Sequence, residues 1–238
     1  MAITDAVIQY RRFLKRRNCS ANTVKNYMHT LRQFVLWVNI PIEHVKGRKI
    51  LGYIDHLRAR RLQPKTINCH LDSIRGFYNY LIDEEYLKMD NPVKRNYNLR
   101  LPRPLPRYLR DEDVPRLFDQ IKNYRDRAIF MLMLRCGLRL EETANLTLRA
   151  IDLRRAQLFI YEGKGGKDRV VYLSDDALKA LSTYLKNRSS SRVRKVFLVE
   201  KGNYKGRPLS LRGIQKRMEY YARKAGLKVS CHQLRHTM

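Results

Sequence analysis

The sequence predicts two domains: an all-α bundle, then a mixed α+β domain that is mainly helical and carries a small antiparallel β-sheet. Three observations predict it. Through residues 1–90, apolar side chains recur at three- and four-residue steps, the period of a helix with one buried face. Residues 91–110 then carry Pro92, Pro102, Pro104 and Pro106 among six basic residues and no acid, the composition of an extended linker. In residues 111–238 the helical period is interrupted by two β-rich runs that flank a glycine-rich segment.

The elements follow in order. Asp5 to Arg17 sets Val7, Ile8, Tyr10, Phe13 and Leu14 against Arg11, Arg12, Lys15, Arg16 and Arg17. Ser20, Asn22 and Thr23 supply capping oxygens for a helix to Val38 that repeats Val24, Tyr27, Leu31, Phe34 and Val35. Arg48 to Arg61 gathers Ile50, Leu51, Ile54 and Leu57 on one face, and Pro64 suits the first turn of the next helix, which buries Ile67, Leu71, Ile74, Tyr78 and Leu81. Further on, Asp111–Gln120, Tyr124–Arg135 and Leu140–Leu146 read as helices, with Gly137 as a C-terminal cap. Gln157–Tyr161 and Arg169–Leu173 read as a hairpin around Gly163, Lys164, Gly165 and Gly166. A helix capped by Ser174 or Asp175 runs to Arg188, Val196–Val199 reads as a third strand, Ser210–Ala225 is helical, and a last helix begins near His232.

Composition narrows the partners. Lys and Arg number 50 against 22 Asp and Glu, a net charge of +28 with a pI of about 10.3. Such an excess points to a polyanion, because each phosphate neutralised releases condensed counterions. No apolar run is long enough to span a bilayer, and the first residues lack a basic-then-apolar secretory pattern, so no membrane partner and a cytoplasmic, nucleoid-associated, bacterial-type location are expected. Cys19, Cys69, Cys136 and Cys231 stand far apart and read as reduced, mostly buried thiols; no zinc, no other metal and no cofactor is expected.

Three segments carry chemistry. Arg139 follows a helix end and Gly137; Lys164 sits at the hairpin tip; His232 and Arg235 lie one helical turn apart. Two arginines and a lysine brought from distant segments suit a phosphodiester. Guanidinium groups donate paired hydrogen bonds to non-bridging oxygens and stay charged at every working pH. A lysine on a hairpin can protonate a leaving oxygen.

In this order and spacing the segments resemble the tyrosine recombinase (phage integrase) family, its Xer-like branch above all. Ser20–Thr23 with the tyrosine-bearing helix after it resembles the start of that family's SAM-like core-binding domain. Gly137, Leu138, Arg139 and Glu142 resemble the first-arginine segment, Gly163–Arg169 the lysine hairpin, and His232, Gln233, Leu234, Arg235 and His236 the second-arginine segment. The resemblance implies a core-binding DNA-binding domain over residues 1–90, a basic linker over 91–110 and a catalytic domain over 111–238. It implies that Arg139 and Arg235 clamp a scissile phosphate, that Lys164 is the general acid and that His232 assists proton transfer. Glu142 and His236 would support them, Glu142 by orienting the arginine or the histidine and His236 through packing. Arg11, Arg12, Lys15, Lys25, Lys65 and Arg75 of the bundle, Arg100, Arg103 and Arg107 of the linker, and Lys167 and Arg169 near the hairpin are the expected contacts to DNA backbone. The implied activity is site-specific recombination or integration on duplex DNA through a 3′-phosphotyrosyl intermediate, with monomers meeting as a tetramer on paired sites. All 15 tyrosines precede His232, whereas the family's nucleophile follows this segment. The residues at hand are therefore expected to bind DNA without the nucleophile, as a catalytic domain incomplete at its C-terminal end and as a monomer in solution. A non-catalytic DNA-binding regulator is the alternative, and an RNA-binding protein a weaker third reading.

Overall fold

The computed structural model describes the chain except residues 1–2, 85, 103–107, 162–167 and 238. It divides into two compact units, Met1–Pro104 and Leu105–Met238. Among the described residues no helix is long and apolar enough to cross a membrane.

The first unit is a bundle of four helices: α1 (Ile3–Arg16), α2 (Ala21–Val38), α3 (Gly47–Ala59) and α4 (Pro64–Asp83). The periodicities are largely realised as burial: Tyr10, Leu31, Phe34, Ile50, Leu57, Ile67, Leu71 and Ile74 all face the core, each such side chain contributing on the order of 2 kcal/mol, whereas Ile8 and Leu51, read on the same faces, are exposed. Ser20 caps α2 through its hydroxyl, which accepts from Thr23 N at 3.1 Å. Pro64 occupies the first turn of α4. Inside, the Tyr53 hydroxyl lies 3.0 Å from His70 Nδ1, and burial lowers the pKa of that imidazole. Residues 91–99, read as the first half of an extended linker, are instead stitched to α4. Asn68 pairs with both backbone polar groups of Leu99, and Arg75 donates to the carbonyls of Val93 and Lys94 and to the side chains of Asp72 and Asn98. A 3₁₀ turn (Arg95–Tyr97) and a buried Val93 complete the attachment. Composition does not reveal this, because the anchoring donors lie on α4.

The second unit contains α5 (Asp113–Asp119), α6 (Tyr124–Arg135), α7 (Leu140–Asn145), α8 (Asp175–Asn187), α9 (Leu211–Lys224) and α10 (Cys231–His236), with an antiparallel sheet of β1 (Ile151–Asp152), β2 (Gln157–Ile160) and β3 (Arg169–Tyr172) in that order. Helix α6 is buried almost all round, from Arg125 and Asp126 through Leu134, and forms the spine of this core. The third strand is Ile151–Asp152, not Val196–Val199. Val196, Phe197 and Leu198 are buried in succession rather than alternately, and irregular partners take their backbone groups. Leu198 makes an isolated bridge to Pro208, Tyr184 Oη donates to Val196 O, and Leu209 N donates to Phe197 O. Ser174 caps α8, its hydroxyl accepting from Ala177 N.

Candidate active site

Helix α6 ends at Arg135, and Gly137, with φ +58°, turns the chain sharply. That turn delivers Arg139 to the N-terminus of α7, where Glu142 lies one turn further on. The Glu142 carboxylate reaches back to accept from Arg139 N at 2.7 Å and from Arg139 Nη1 at 2.8 Å. It also accepts from both ends of the Arg169 guanidinium, Nη1 at 2.8 Å and Nη2 at 2.7 Å. Arg235 Nη1 stands 4.0 Å from the same carboxylate and donates to Gly137 O. One carboxylate thus collects three arginines from three segments.

The Glu142 side chain is 7% exposed, while those of Arg139, Arg169 and Arg235 are 40%, 34% and 26% exposed. Burial alone would raise the Glu142 pKa; the hydrogen bonds from Arg169 and from the backbone and side chain of Arg139 outweigh it and bring the carboxyl down to about 2. The acid is therefore ionised, and it organises cations that still reach solvent.

Helix α10 presents the other half. Ser230 and Gln233 form a reciprocal cap, Ser230 Oγ accepting from Gln233 N and Gln233 Oε1 accepting from Ser230 N. Cys231 and Leu234 are buried and pin one face, and Thr237 Oγ1 accepts from Leu109 N at 2.8 Å. His232 and Arg235 are left to turn outward. Arg139, His232 and Arg235 line one cleft of about 520 Å³, with Leu138, Glu141 and Met218 on its walls. Burial, then the neighbouring His236 and Arg235, lower the His232 pKa and favour its neutral form. His236 is exposed and sets its ring edge-to-face against that of His232, with centroids 4.3 Å apart and Nε2 2.9 Å from His232 Nε2.

Four of the residues singled out in the sequence, Arg139, Glu142, His232 and Arg235, thus converge. Lys164 and Lys167, like Arg103 and Arg107, lie outside the described residues. Arg11, Arg12, Lys15, Lys25 and Lys65 are basic positions of the first unit: Arg11, Lys15 and Lys25 line a separate groove between α1 and α2, and Lys65 is exposed on α4. Arg100 is exposed after the stitched segment. Arg75 braces residues 93–98, and Arg169 is engaged with Glu142. Sequence reasoning missed Asp126, which is fully buried and accepts from Arg125, Arg217 and Tyr221. Cys136 and Cys231 are buried, Cys19 is half-buried and Cys69 exposed, so only two of the four thiols are interior.

Comparison with known proteins identifies the family. Residues 107–238 match the phage integrase family, and residues 7–88 match the phage integrase N-terminal SAM-like domain. The chain belongs to the phage integrase family. The tyrosine recombinase XerA of Pyrococcus horikoshii is 28% identical over 98% of this chain and 78% of the relative. The tyrosine recombinase XerC of Thermodesulfovibrio yellowstonii is 29% identical over 92% of this chain and 75% of the relative. In fold, this integrase-family chain is similar to the Tn1549 transposon integrase in complex with circular intermediate DNA (TM-score 0.75, 19% identity, 98% of this chain and 84% of that one). It is also similar to a lambda integrase dimer bound to a COC′ core site (TM-score 0.76, 15% identity, 100% of this chain and 88% of that one).

Proposed function

We propose that this protein acts on duplex DNA as a site-specific recombinase or integrase, with the cleft of Arg139, His232 and Arg235 receiving the phosphodiester. The observation that carries the reading is the convergence of these three side chains on one cleft behind an ionised Glu142. The integrase neighbours bound to DNA support duplex DNA as the partner.

Arg139 and Arg235 would grip the non-bridging oxygens and stabilise the charge that grows on them in the transition state. Glu142 holds Arg139 in place and is not a base, since a carboxyl at about 2 has almost no proton affinity at neutral pH. Neutral His232 can take a proton at the phosphate, return it once it is imidazolium, or donate a hydrogen bond, and Lys164 would protonate the leaving 5′ oxygen. In the family's reaction a tyrosine hydroxyl attacks phosphorus, the 3′-phosphotyrosyl bond forms and the 5′ hydroxyl leaves. The reverse step reseals the strand, so the phosphodiester energy is retained. Tyr221 is not assigned the attack: it is buried, and its hydroxyl donates to Asp126 and accepts from Arg217. In the bundle, Arg11, Arg12, Lys15, Lys25 and Lys65 would track the DNA backbone, as would Arg100. On paired sites, copies of the protein would assemble together.

The test is a covalent-trapping gel on nicked duplex, run beside a native gel shift and a complete relative that cuts the same DNA. A native shift without a covalent band supports phosphodiester gripping without a nucleophile in residues 1–238. A covalent band assigns the attack to one of the 15 tyrosines. No shift at any salt concentration overturns the reading.

A further inference from the structure

The proposed function leaves Arg169 without a task. Its position in the sequence, beside the lysine hairpin, reads as one more backbone-phosphate contact. Its geometry reads otherwise.

Arg169 is the first residue of β3 and lies opposite Ile160 in the β2–β3 register. It therefore sits at the root of the hairpin, at the end of the connection that carries Lys164. From there it crosses to α7 and gives both terminal nitrogens to Glu142. A guanidinium whose fork is closed on a carboxylate does not offer that fork to a phosphate. The acceptor capacity of Glu142 matters as well. An ionised carboxylate has about four lone-pair positions, two on each oxygen. Oε1 accepts from Arg139 Nη1 and Arg169 Nη1, and Oε2 from Arg139 N and Arg169 Nη2. Both oxygens are thus fully used, and Arg235, at 4.0 Å, remains at the margin of the carboxylate and on the cleft.

We propose that Arg169 is a positioning residue that fastens the outgoing strand of the lysine hairpin to Glu142, and through Glu142 to Arg139, without touching DNA itself. The proposal rests on the reading of the cleft as a phosphodiester site. It makes Glu142 the point where the hairpin and the arginine pair are held in register.

The experiment is a salt series of duplex-binding affinities for the full chain and for Arg139→Gln, Arg169→Gln, Arg169→Lys, Glu142→Gln and the Arg169→Gln/Glu142→Gln double variant. Each lost phosphate contact lowers the slope of log affinity against log salt by about 0.9. Arg139→Gln is the reference and is expected to lose that amount; an unchanged slope overturns the phosphodiester reading of the cleft, and the proposal with it. If the reference behaves, Arg169→Gln in the otherwise unaltered chain, where Glu142 keeps its carboxylate, is expected to leave the slope unchanged. A slope loss of about 0.9 in that single variant means that Arg169 contacts phosphate in the native arrangement, and overturns the proposal alone; the double variant checks that the two residues act through one another. Arg169→Lys separates fork from charge. A phosphate contact survives that change, whereas a bidentate clamp does not. The Glu142 carboxyl, followed by carbon NMR in Arg169→Lys, is expected to titrate well above its position in the unaltered chain, and an unchanged titration also overturns the proposal.

Discussion

Two carboxylates in the second unit gather arginines, and they do so to opposite ends. Asp126 is wholly buried, and its partners rest on protein groups: Arg125 is 8% exposed and also donates to Leu198 O, Arg217, although 36% exposed, lies over the rings of Tyr220 and Tyr221, and Tyr221 is buried. Glu142 is nearly as buried, but two of its arginines, Arg139 and Arg235, continue into a cleft. The carboxylate chemistry is the same. What differs is where the far side of each guanidinium goes, onto carbonyls and rings or into an open cleft. The Asp126 cluster binds α6 to α9, whereas the Glu142 cluster leaves two of its arginines on the cleft.

The largest expected effect breaks the interior cluster. Asp126→Ala leaves the buried Arg125 with only the more distant and more exposed Glu200, 3.7 Å away, as counter-charge, and should cost about 3–5 kcal/mol in denaturant unfolding. A loss below about 1 kcal/mol would mean that Asp126 and Glu142 do not differ as argued.

Next comes the pH dependence of Glu142. Its pKa is depressed in the folded state from 4.5 to about 2. The stabilisation is therefore fully present above the unfolded value and is lost as pH falls from about 4.5 through 2. Its size is on the order of 3 kcal/mol at neutral pH. Glu142→Gln should lower neutral stability and flatten the stability profile in that window. A profile as steep as that of the unaltered chain would place the acid sensitivity on other carboxylates.

A smaller effect sharpens the outward role. Arg235→Lys keeps the charge but loses the planar fork. Stability should change by less than about 1 kcal/mol, and duplex affinity should fall several-fold with the salt slope preserved. An affinity equal to that of the unaltered chain would remove paired recognition of phosphate oxygens from the account.

How much of this was legible in the sequence follows from distance along the chain. The four helices of the first unit were legible because each writes its burial in its own period, as Val24, Leu31, Phe34 and Val38 do within α2. Arg139 and His232–Arg235 were legible because short local patterns carry them. The clusters were not. Asp126 sits between two arginines, which reads as a solvated helix surface; its burial depends on Arg217, 91 residues away. Arg169 meets Glu142 across 27 residues, and only the strand register aims it there. Val196–Val199 failed as a strand because an apolar run gives no period, and the groups that take up its backbone, Tyr184 and Leu209, belong to other segments.

The smallest expected effect tests both sides of the comparison at once. The Tyr221 hydroxyl donates to Asp126 Oδ2 at 3.0 Å and accepts from Arg217 Nη2 at 2.7 Å, and burial, then the adjacent Asp126, raise its pKa to about 12. Such a hydroxyl is held as a donor inside the α6–α9 junction, far from the phenolate-like readiness an attacking oxygen needs. Tyr221→Phe keeps the ring packed against Phe130 and removes only the hydrogen bonds. It should cost about 1 kcal/mol of stability, because Asp126 keeps its arginine partners. Duplex affinity, salt slope and any covalent product should stay as they are. A covalent band that disappears in Tyr221→Phe alone would move this side chain from the interior cluster to the reacting centre and erase the distinction between the two carboxylates.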